Sequence, residues 1–441
     1  MPELSTGFPT SANRLRTGRL RSALGRMRPA LGRMRQVGRE RTGRTEVMDE
    51  LPSIDDLERL ARRRLPHFAW EYLASGTGAE QALERNRTRL ASLTLTPRLL
   101  KGPLSPELGT ELFGVRHAAP IGIAPIGLSG LIWPGSDLAL ARLASARSIP
   151  HVLSTVGNDP PETIGPIAGD MGWFQLYPPR DPALRDDLVA RVARAGFRVL
   201  VVTADVPAPS RRERQRRARI RVPPVIGPRL VYEAMRSPRW TSALLRHGLP
   251  GFGSLAPYLD ETSIGATAGF VGANLGGTLS FDYLAELREI WDGTLMVKGI
   301  LHPDDARRCV EVGADAIGVS NHGGRQLDGA PSAIEALPPV VAGLGGRVPV
   351  VFDSGVRSGL DVARALALGA DFVLCGRAFM FGLGALGPEG ATHVLDILVE
   401  DLVNVMSQLG CERPSELADR LDGSRIDGGR IDGGRFDQTK R

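Results

Sequence analysis

The chain has 441 residues, 42% of them hydrophobic and 24% charged, enough to bury the core of one large domain with terminal extensions or of two ordinary ones. No run of about 18 apolar residues occurs, which excludes a membrane-spanning helix, and three widely spaced cysteines, Cys309, Cys375 and Cys411, form neither a metal-ligand pattern nor a disulfide framework. The net charge of +6 is unevenly spread: residues 1–45 hold eleven arginines and two acids, +9, which leaves −3 for the rest.

Residues 1–46 have few apolar positions, no sustained period and no secretory apolar stretch, although ALGRMR occurs twice. This segment reads as an Arg-rich disordered tail. A short basic helix on an anionic surface and a mitochondrial presequence are the alternatives. Residues 47–100 have the periodicity of a helical cap.

From there apolar runs of strand type alternate with helical patterns. PIGIAP, HVLST, GWFQLY, FRVLVVTAD, LMVKG, AIGVSN, VPVVFDSG and FVLCGR end at Pro125, Thr155, Tyr177, Asp205, Gly299, Asn321, Gly355 and Arg377. Continuous apolarity is what parallel strands covered on both faces require. Eight strand–helix units predict an α/β fold, a closed (β/α)8 TIM barrel over residues 47–415, with an open doubly wound sheet as the alternative. Residues 206–290, between the fourth and fifth strands, far exceed an ordinary connection of roughly 2–6 residues and read as a long functional insertion. Residues 416–441, ending in a Gly-Asp-Arg repeat, read as a second disordered tail.

Parallel barrels place their chemistry at the C-terminal strand ends. Polar groups gather there in this chain: Gln175 and Tyr177, Thr203 and Asp205, Lys298, then Ser320, Asn321, His322 and Arg325, followed by Asp353, Gly355, Arg357, Gly376 and Arg377. Six consecutive polar strand ends exceed what strand termini need for solvation. The segment SNHGGRQLDG, residues 320–329, is the most informative. A histidine follows an apolar strand, two glycines allow close backbone approach to a ligand, and Arg325 supplies a planar fork that matches a carboxylate. A base beside a carboxylate clamp suits proton removal from a 2-hydroxy acid. The remaining histidines have no partner pattern and read as structural or exposed, and no metal site is expected.

This string resembles the active-site signature of the FMN-dependent 2-hydroxy-acid dehydrogenases and oxidases. The resemblance covers roughly residues 50–415 and includes LPHFAWEYLASG, GIAPIGL, WFQLY, LMVKGI, DSGVRSGLD and LALGADFVLCGRAF, all in order. Within the family, LIWPGSDLALARLASARSIPHVLST and SPRWTSALLRHGLP look closest to the mandelate branch, and APIGLSGL and DSGVRSGLD to the membrane-associated lactate branch. The resemblance implies FMN as cofactor and oxidation of an L-2-hydroxy acid to its 2-keto acid. Electrons would pass to a quinone-like or protein acceptor; an oxidase using oxygen, or an FMN barrel modifying a specialised metabolite, are the alternatives.

Carried over position by position, the resemblance makes His322 the catalytic base, Asp205 its partner and Lys298 the cation near the flavin ring. Tyr72, Tyr177, Arg212 and Arg325 would bind substrate. Ala124, Pro125, Ile126, Ser154, Gln175, Thr203, Lys298, Ser320, Asp353, Gly355, Arg357, Gly376 and Arg377 would hold the cofactor. Arg211 adjoins Arg212, so the alignment leaves a choice between them, which the RRE triplet resolves toward Arg212. Gly127 stands where many oxidases carry alanine. The resemblance also implies a homo-oligomer, typically a tetramer. The expected location is cytoplasmic, with the arginine-dense run 211–224 and Trp240, Leu244, Leu245 and Leu249 making peripheral contact with the inner face of the cell membrane. Nucleic-acid binding is not expected, because no aromatic residues interleave the arginines.

Overall fold

In the computed structural model, the described residues are 50–218, 227–259, 264–277 and 279–421. Residues 1–46 and 422–441 of the expected tails lie outside them. From Ser53 onward the described residues form a compact unit.

Three helices precede the barrel: α1 (Ile54–Arg64), α2 (His67–Ala74) and α3 (Gln81–Ser92). Ser53 starts α1 through a reciprocal capping box with Asp56, and Ile54, Leu57 and Ala61 form its buried face. A short antiparallel hairpin follows, β1 (Thr110–Leu112) and β2 (Val115–His117).

The eight barrel strands are β3 (Ile121–Ile123), β4 (His151–Ser154), β5 (Gly172–Leu176), β6 (Val199–Thr203), β7 (Thr294–Ile300), β8 (Ala316–Val319), β9 (Val350–Asp353) and β10 (Phe372–Cys375). Each pairs in parallel with its sequential neighbour, and β10 closes on β3 through Val373 opposite Ile121. The expected closed barrel is therefore the fold, and the open sheet is not. Val152, Trp173, Val199, Val201, Met296, Ala316, Val351, Phe372 and Leu374 pack in one core cluster with Leu112 of the hairpin. Phe113 at the hairpin turn packs tilted against Trp173, ring centroids 5.3 Å apart, so the aromatic hairpin seals one end of the barrel and the other end carries the polar strand termini.

One irregularity bears on that polar end. The β7–β8 register shifts between Lys298 and Ile300. Gly299, at φ +101°, makes the kink, and a Cβ there would lie 2.7 Å from Asp205 Cβ. Glycine is needed both for the left-handed backbone and for the approach of Asp205.

The long connection after β6 comprises helices Glu213–Arg217, Pro228–Met235, Pro238–His247 and Ile264–Asn274 and a 3-10 turn at Gly253–Tyr258; its last helix, Phe281–Ile290, is the barrel's own, capped by Ser280. The insertion folds back onto the barrel. Gly253 N–H donates to Gly157 C=O, Arg180 N–H to Asn274 C=O and Gly276 N–H to Pro178 C=O.

Two expectations are corrected here. Trp240 is not an interfacial residue: it is 4% exposed, its indole N–H donates to Leu131 C=O, and its ring meets Phe68 edge-on. Its apolar ring finds cover against the cap instead. The folded chain also does not stop at residue 415. Pro414–Arg420 forms a 3-10 helix with Leu417 and Arg420 buried, Arg420 donates to the Leu409 and Gly410 carbonyls, and Thr96 N–H donates to Arg420 C=O. The segment's apolar content is low, yet it satisfies the carbonyls left open where helix Pro388–Leu409 ends. Leu417→Ala is expected to lower stability by about 2–5 kcal/mol, the usual cost of truncating a fully buried leucine, measured by thermal or urea denaturation. A change below about 0.5 kcal/mol would return residues 416–421 to the tail.

Candidate active site

The polar strand ends enclose a cavity of about 410 Å³. His322 sits just after β8 with φ +58°, its N–H held by Ser320 Oγ at 3.0 Å. This left-handed turn aims the imidazole across the barrel, where Nδ1 lies 3.0 Å from Asp205 Oδ1. The other ring nitrogen, Nε2, is left for a ligand. Burial works against a charge on Asp205, but the His322 ring, through charge and hydrogen bond, and Lys298 beyond it hold its carboxyl below the usual range. Asp205 Oδ2 is buried without a hydrogen-bond partner.

Two arginines converge beside the pair. Arg325 donates to the Tyr72 and Leu73 carbonyls, both at 2.6 Å, and packs over the Tyr72 ring. Burial first, then the neighbouring Arg212, pulls its pKa down to about 10, so an anion placed between them would be favoured. Arg212 lines the cavity, with Nη2 3.5 Å from Gln326 Oε1. Arg211 points away, 77% exposed and paired with Glu213, so the geometry selects Arg212 of the two. Tyr177 also lines the cavity, and burial pushes its hydroxyl pKa up, keeping it a neutral donor. The Tyr72 hydroxyl donates to Gly127 C=O at 2.8 Å.

Across the cavity a second chain of contacts runs along the strand ends. Lys298 Nζ donates to Ser320 Oγ at 2.9 Å and pairs with Asp353 at 2.8 Å. Burial opposes its charge, but Asp353 and Asp205 outweigh it and raise the ammonium pKa. Gln175 Nε2 donates to Thr203 Oγ1, and Ser154 Oγ donates to Gln175 Oε1. Ala124, Pro125, Ile126, Gln175, Thr203, Lys298, Asp353, Gly355, Arg357, Gly376 and Arg377 all line the cavity. Ser154 and Ser320 do not. Their hydroxyls are spent on Gln175 and on Lys298 and Asp353, and they position those groups from behind. Asp205 likewise stands behind His322.

The end near β9 and β10 is cationic. Among the described residues Arg377 donates to the carbonyls of Leu73, Gly323 and Ser75, and Arg357 Nη1 donates to Val356 C=O while its buried Nε has no partner. Burial lowers the pKa of both, and for Arg377 repulsion from Arg325 and Arg357 adds to it. Helix Arg377–Leu386 begins at the same place, so its N-terminal dipole points positive into the cavity. A buried cation without an acid is costly; a phosphate on these groups would relieve it. The residues therefore fit FMN: a phosphate at Arg357, Gly376 and Arg377, and a ring against Ala124–Ile126, Gln175, Thr203 and Lys298.

Several lining residues carried no signal in the sequence. Val206, Phe252, Val271, Leu275 and Gly276 come from the insertion, whose path no local pattern encodes. Ser354, at φ +96°, accepts from Gly323 N–H at 3.0 Å and orders the loop after His322; its place after a strand end was the available hint. Gln326, which joins Arg212 to the Asp205 carbonyl, lay within the informative string. Among the described residues no cluster of His, Cys, Asp and Glu could hold a metal.

A barrel with a phosphate cradle after its last two strands and a histidine–carboxylate pair facing two arginines defines a flavin-type oxidoreductase. The family model described as FMN-dependent dehydrogenase matches residues 61–422, and the chain belongs to that family. L-lactate dehydrogenase of Ectopseudomonas mendocina is 39% identical over 83% of this chain and 97% of the relative. That of Caulobacter sp. is 40% identical over 82% and 95%. Among solved structures, a monotopic membrane protein, (S)-mandelate dehydrogenase, superposes with a TM-score of 0.79 at 36% identity over 84% of this chain and 98% of that one. A mandelate oxidase gives 0.72 at 34% identity over 84% and 97%.

The unpaired arginines make the phosphate the discriminating part of the cofactor. FMN at about a hundredfold excess over its Kd is expected to stabilise the apoprotein by about 2.7 kcal/mol, and riboflavin by much less. In Arg377→Met the difference should vanish. Equal stabilisation by the two flavins in the parent, read as shifts in Tm, would contradict the cradle.

Proposed function

We propose that this FMN-dependent oxidoreductase converts an L-2-hydroxy acid to the 2-keto acid. The observation that carries this reading is the juxtaposition of the His322–Asp205 pair with the converging Arg212 and Arg325 guanidinium groups. FMN, when bound, supplies the two-electron acceptor. The two arginines grip the substrate carboxylate, Arg325 through the nitrogens that the Tyr72 and Leu73 carbonyls leave open. Tyr177 offers a hydroxyl donor to the substrate's oxygen atoms, and Tyr72, whose O–H is held by Gly127 C=O, packs its ring against Arg325. His322 Nε2 takes the proton that the substrate gives up, and Asp205 holds the tautomer and stabilises the imidazolium. Lys298 favours negative charge at the flavin edge. The rest of the lining includes the apolar Ile132, Val156, Val206, Phe252, Val271 and Leu275, which favours an uncharged substituent on the 2-carbon.

His322→Gln is expected to retain FMN and carboxylate binding while flavin reduction by substrate slows about 10²–10⁴-fold. L-lactate, glycolate and (S)-mandelate, each assayed with an artificial dye and with oxygen, test the substrate and distinguish a dehydrogenase from an oxidase. Near-normal reduction in the variant would remove His322 from the role of base.

The proposal extends to a quinone-like or protein acceptor reached at a membrane surface. No helix among the described residues is long and apolar enough to cross a membrane. The insertion nevertheless exposes Tyr232, Met235, Leu245 and Leu249, the last two at 83% and 65%, beside exposed Arg236, Arg239 and Arg246. Basic charge with exposed apolar side chains suits peripheral attachment to anionic lipid. In flotation with anionic liposomes, Leu245→Ser/Leu249→Ser should lose the salt-resistant part of binding and keep activity in solution. A parent protein that never floats would end this reading.

A further inference from the structure

Arg212 must hold a guanidinium in the cavity from the first turn of an insertion, on a backbone with φ +45° that an arginine adopts only under constraint. The constraint comes from two residues along. Arg214 forms a bidentate pair with Glu71 of α2, Nε to Oε2 at 2.8 Å and Nη2 to Oε1 at 3.0 Å. Its remaining nitrogen, Nη1, lies 3.0 and 3.4 Å from the two oxygens of Glu80 at the start of α3. One guanidinium thus bridges two carboxylates from the cap. The three side chains are 30%, 14% and 22% exposed, sheltered enough for the geometry to count where an open surface pair would contribute little.

The neighbouring contacts run across the same seam. Gln215 Nε2 donates to Ser75 Oγ, Gly78 N–H donates to Glu213, and Arg212 N–H reaches Thr77 Oγ1 at 3.4 Å. Glu80 also accepts from Gly76 N–H. The segment on the cap side, residues 71–80, carries Tyr72, whose carbonyl holds Arg325.

We infer that Arg214 is a positioning residue: by locking the start of the insertion to Glu71 and Glu80 it sets Arg212 against Tyr72 and Arg325 and so tunes affinity for the substrate carboxylate. The inference rests on the reading of Arg212 as a carboxylate ligand. Arg214 itself lies outside the cavity lining, and the effect is transmitted through the backbone. Lysine at 214 would keep the charge and lose the fork that spans both acids.

The test titrates oxalate into the FMN-loaded enzyme, following the flavin spectrum, and compares KM with kcat for the substrate that the panel identifies. In Arg214→Met we expect oxalate Kd and KM to rise about tenfold, with flavin content unchanged and kcat within about twofold of the parent. Arg214→Lys should recover part of the affinity. In an Arg212→Met background the same substitution should add less than about twofold, because the group it positions is gone. Glu80→Gln, which leaves the Arg214–Glu71 pair, should weaken oxalate by about threefold and serves if Arg214→Met folds poorly. Unchanged oxalate affinity in Arg214→Met, or in Glu80→Gln where that is the variant that folds, overturns the latch. So does an equal loss with and without Arg212. If Arg212→Met binds oxalate as tightly as the parent, the carboxylate reading of Arg212 fails, and the latch with it. If Arg212→Met binds weakly and Arg214→Met normally, only the latch fails.

Discussion

Among the described residues, five cations line one cavity, Arg212, Arg325, Arg357, Arg377 and Lys298, and of the acids Asp353 alone shares the lining with them. That imbalance governs the rest of the site. Lys298 is satisfied by Asp353, and Asp205 behind the wall helps to sustain its charge. The four arginines are held by carbonyl oxygens, a hydroxyl and an amide oxygen, which orient a guanidinium without neutralising it. A protein can maintain such a cluster only where anions complete it, and two are called for: one at the β9–β10 end and one beside His322.

The barrel supplies what the cations need. Parallel strands buried on both faces leave their C-terminal ends as the only places where side chains can turn polar without disturbing the core. Gly299 bends β7 so that Asp205 approaches Lys298's strand, and the left-handed His322 turn points the imidazole back toward Asp205. Backbone strain at these points is offset by a core of Trp173, Phe372 and their neighbours that holds the strands rigid.

The insertion acts on the site from outside the barrel. It contributes Arg212, closes the apolar wall with Phe252, Val271 and Leu275, and is tied down at several separate places: the cap through Arg214, the loop after β4 through Gly253, and the loop after β5 through Arg180 and Gly276. An element held at so many points can expose Leu245 and Leu249 without loosening the cavity.

Strand number, parallel topology and the residues at the strand ends were all legible in the sequence, because continuous apolar runs and their polar termini are local patterns. So was the family, because its motifs follow one another along the same strand ends. Other features depended on contacts between distant segments. The RRE triplet favoured Arg212 over Arg211, but its place in the cavity, on a segment that Arg214 ties to Glu71 and Glu80 more than 130 positions away, is visible only in the folded chain. Trp240 looked like an interfacial anchor by composition and is buried because Phe68 and the Leu131 carbonyl meet it. Residues 416–421 looked like tail and are folded because the end of helix Pro388–Leu409 leaves carbonyls that Arg420 satisfies. Periodicity records what each residue needs, burial or water; only the folded chain decides which distant partner meets that need.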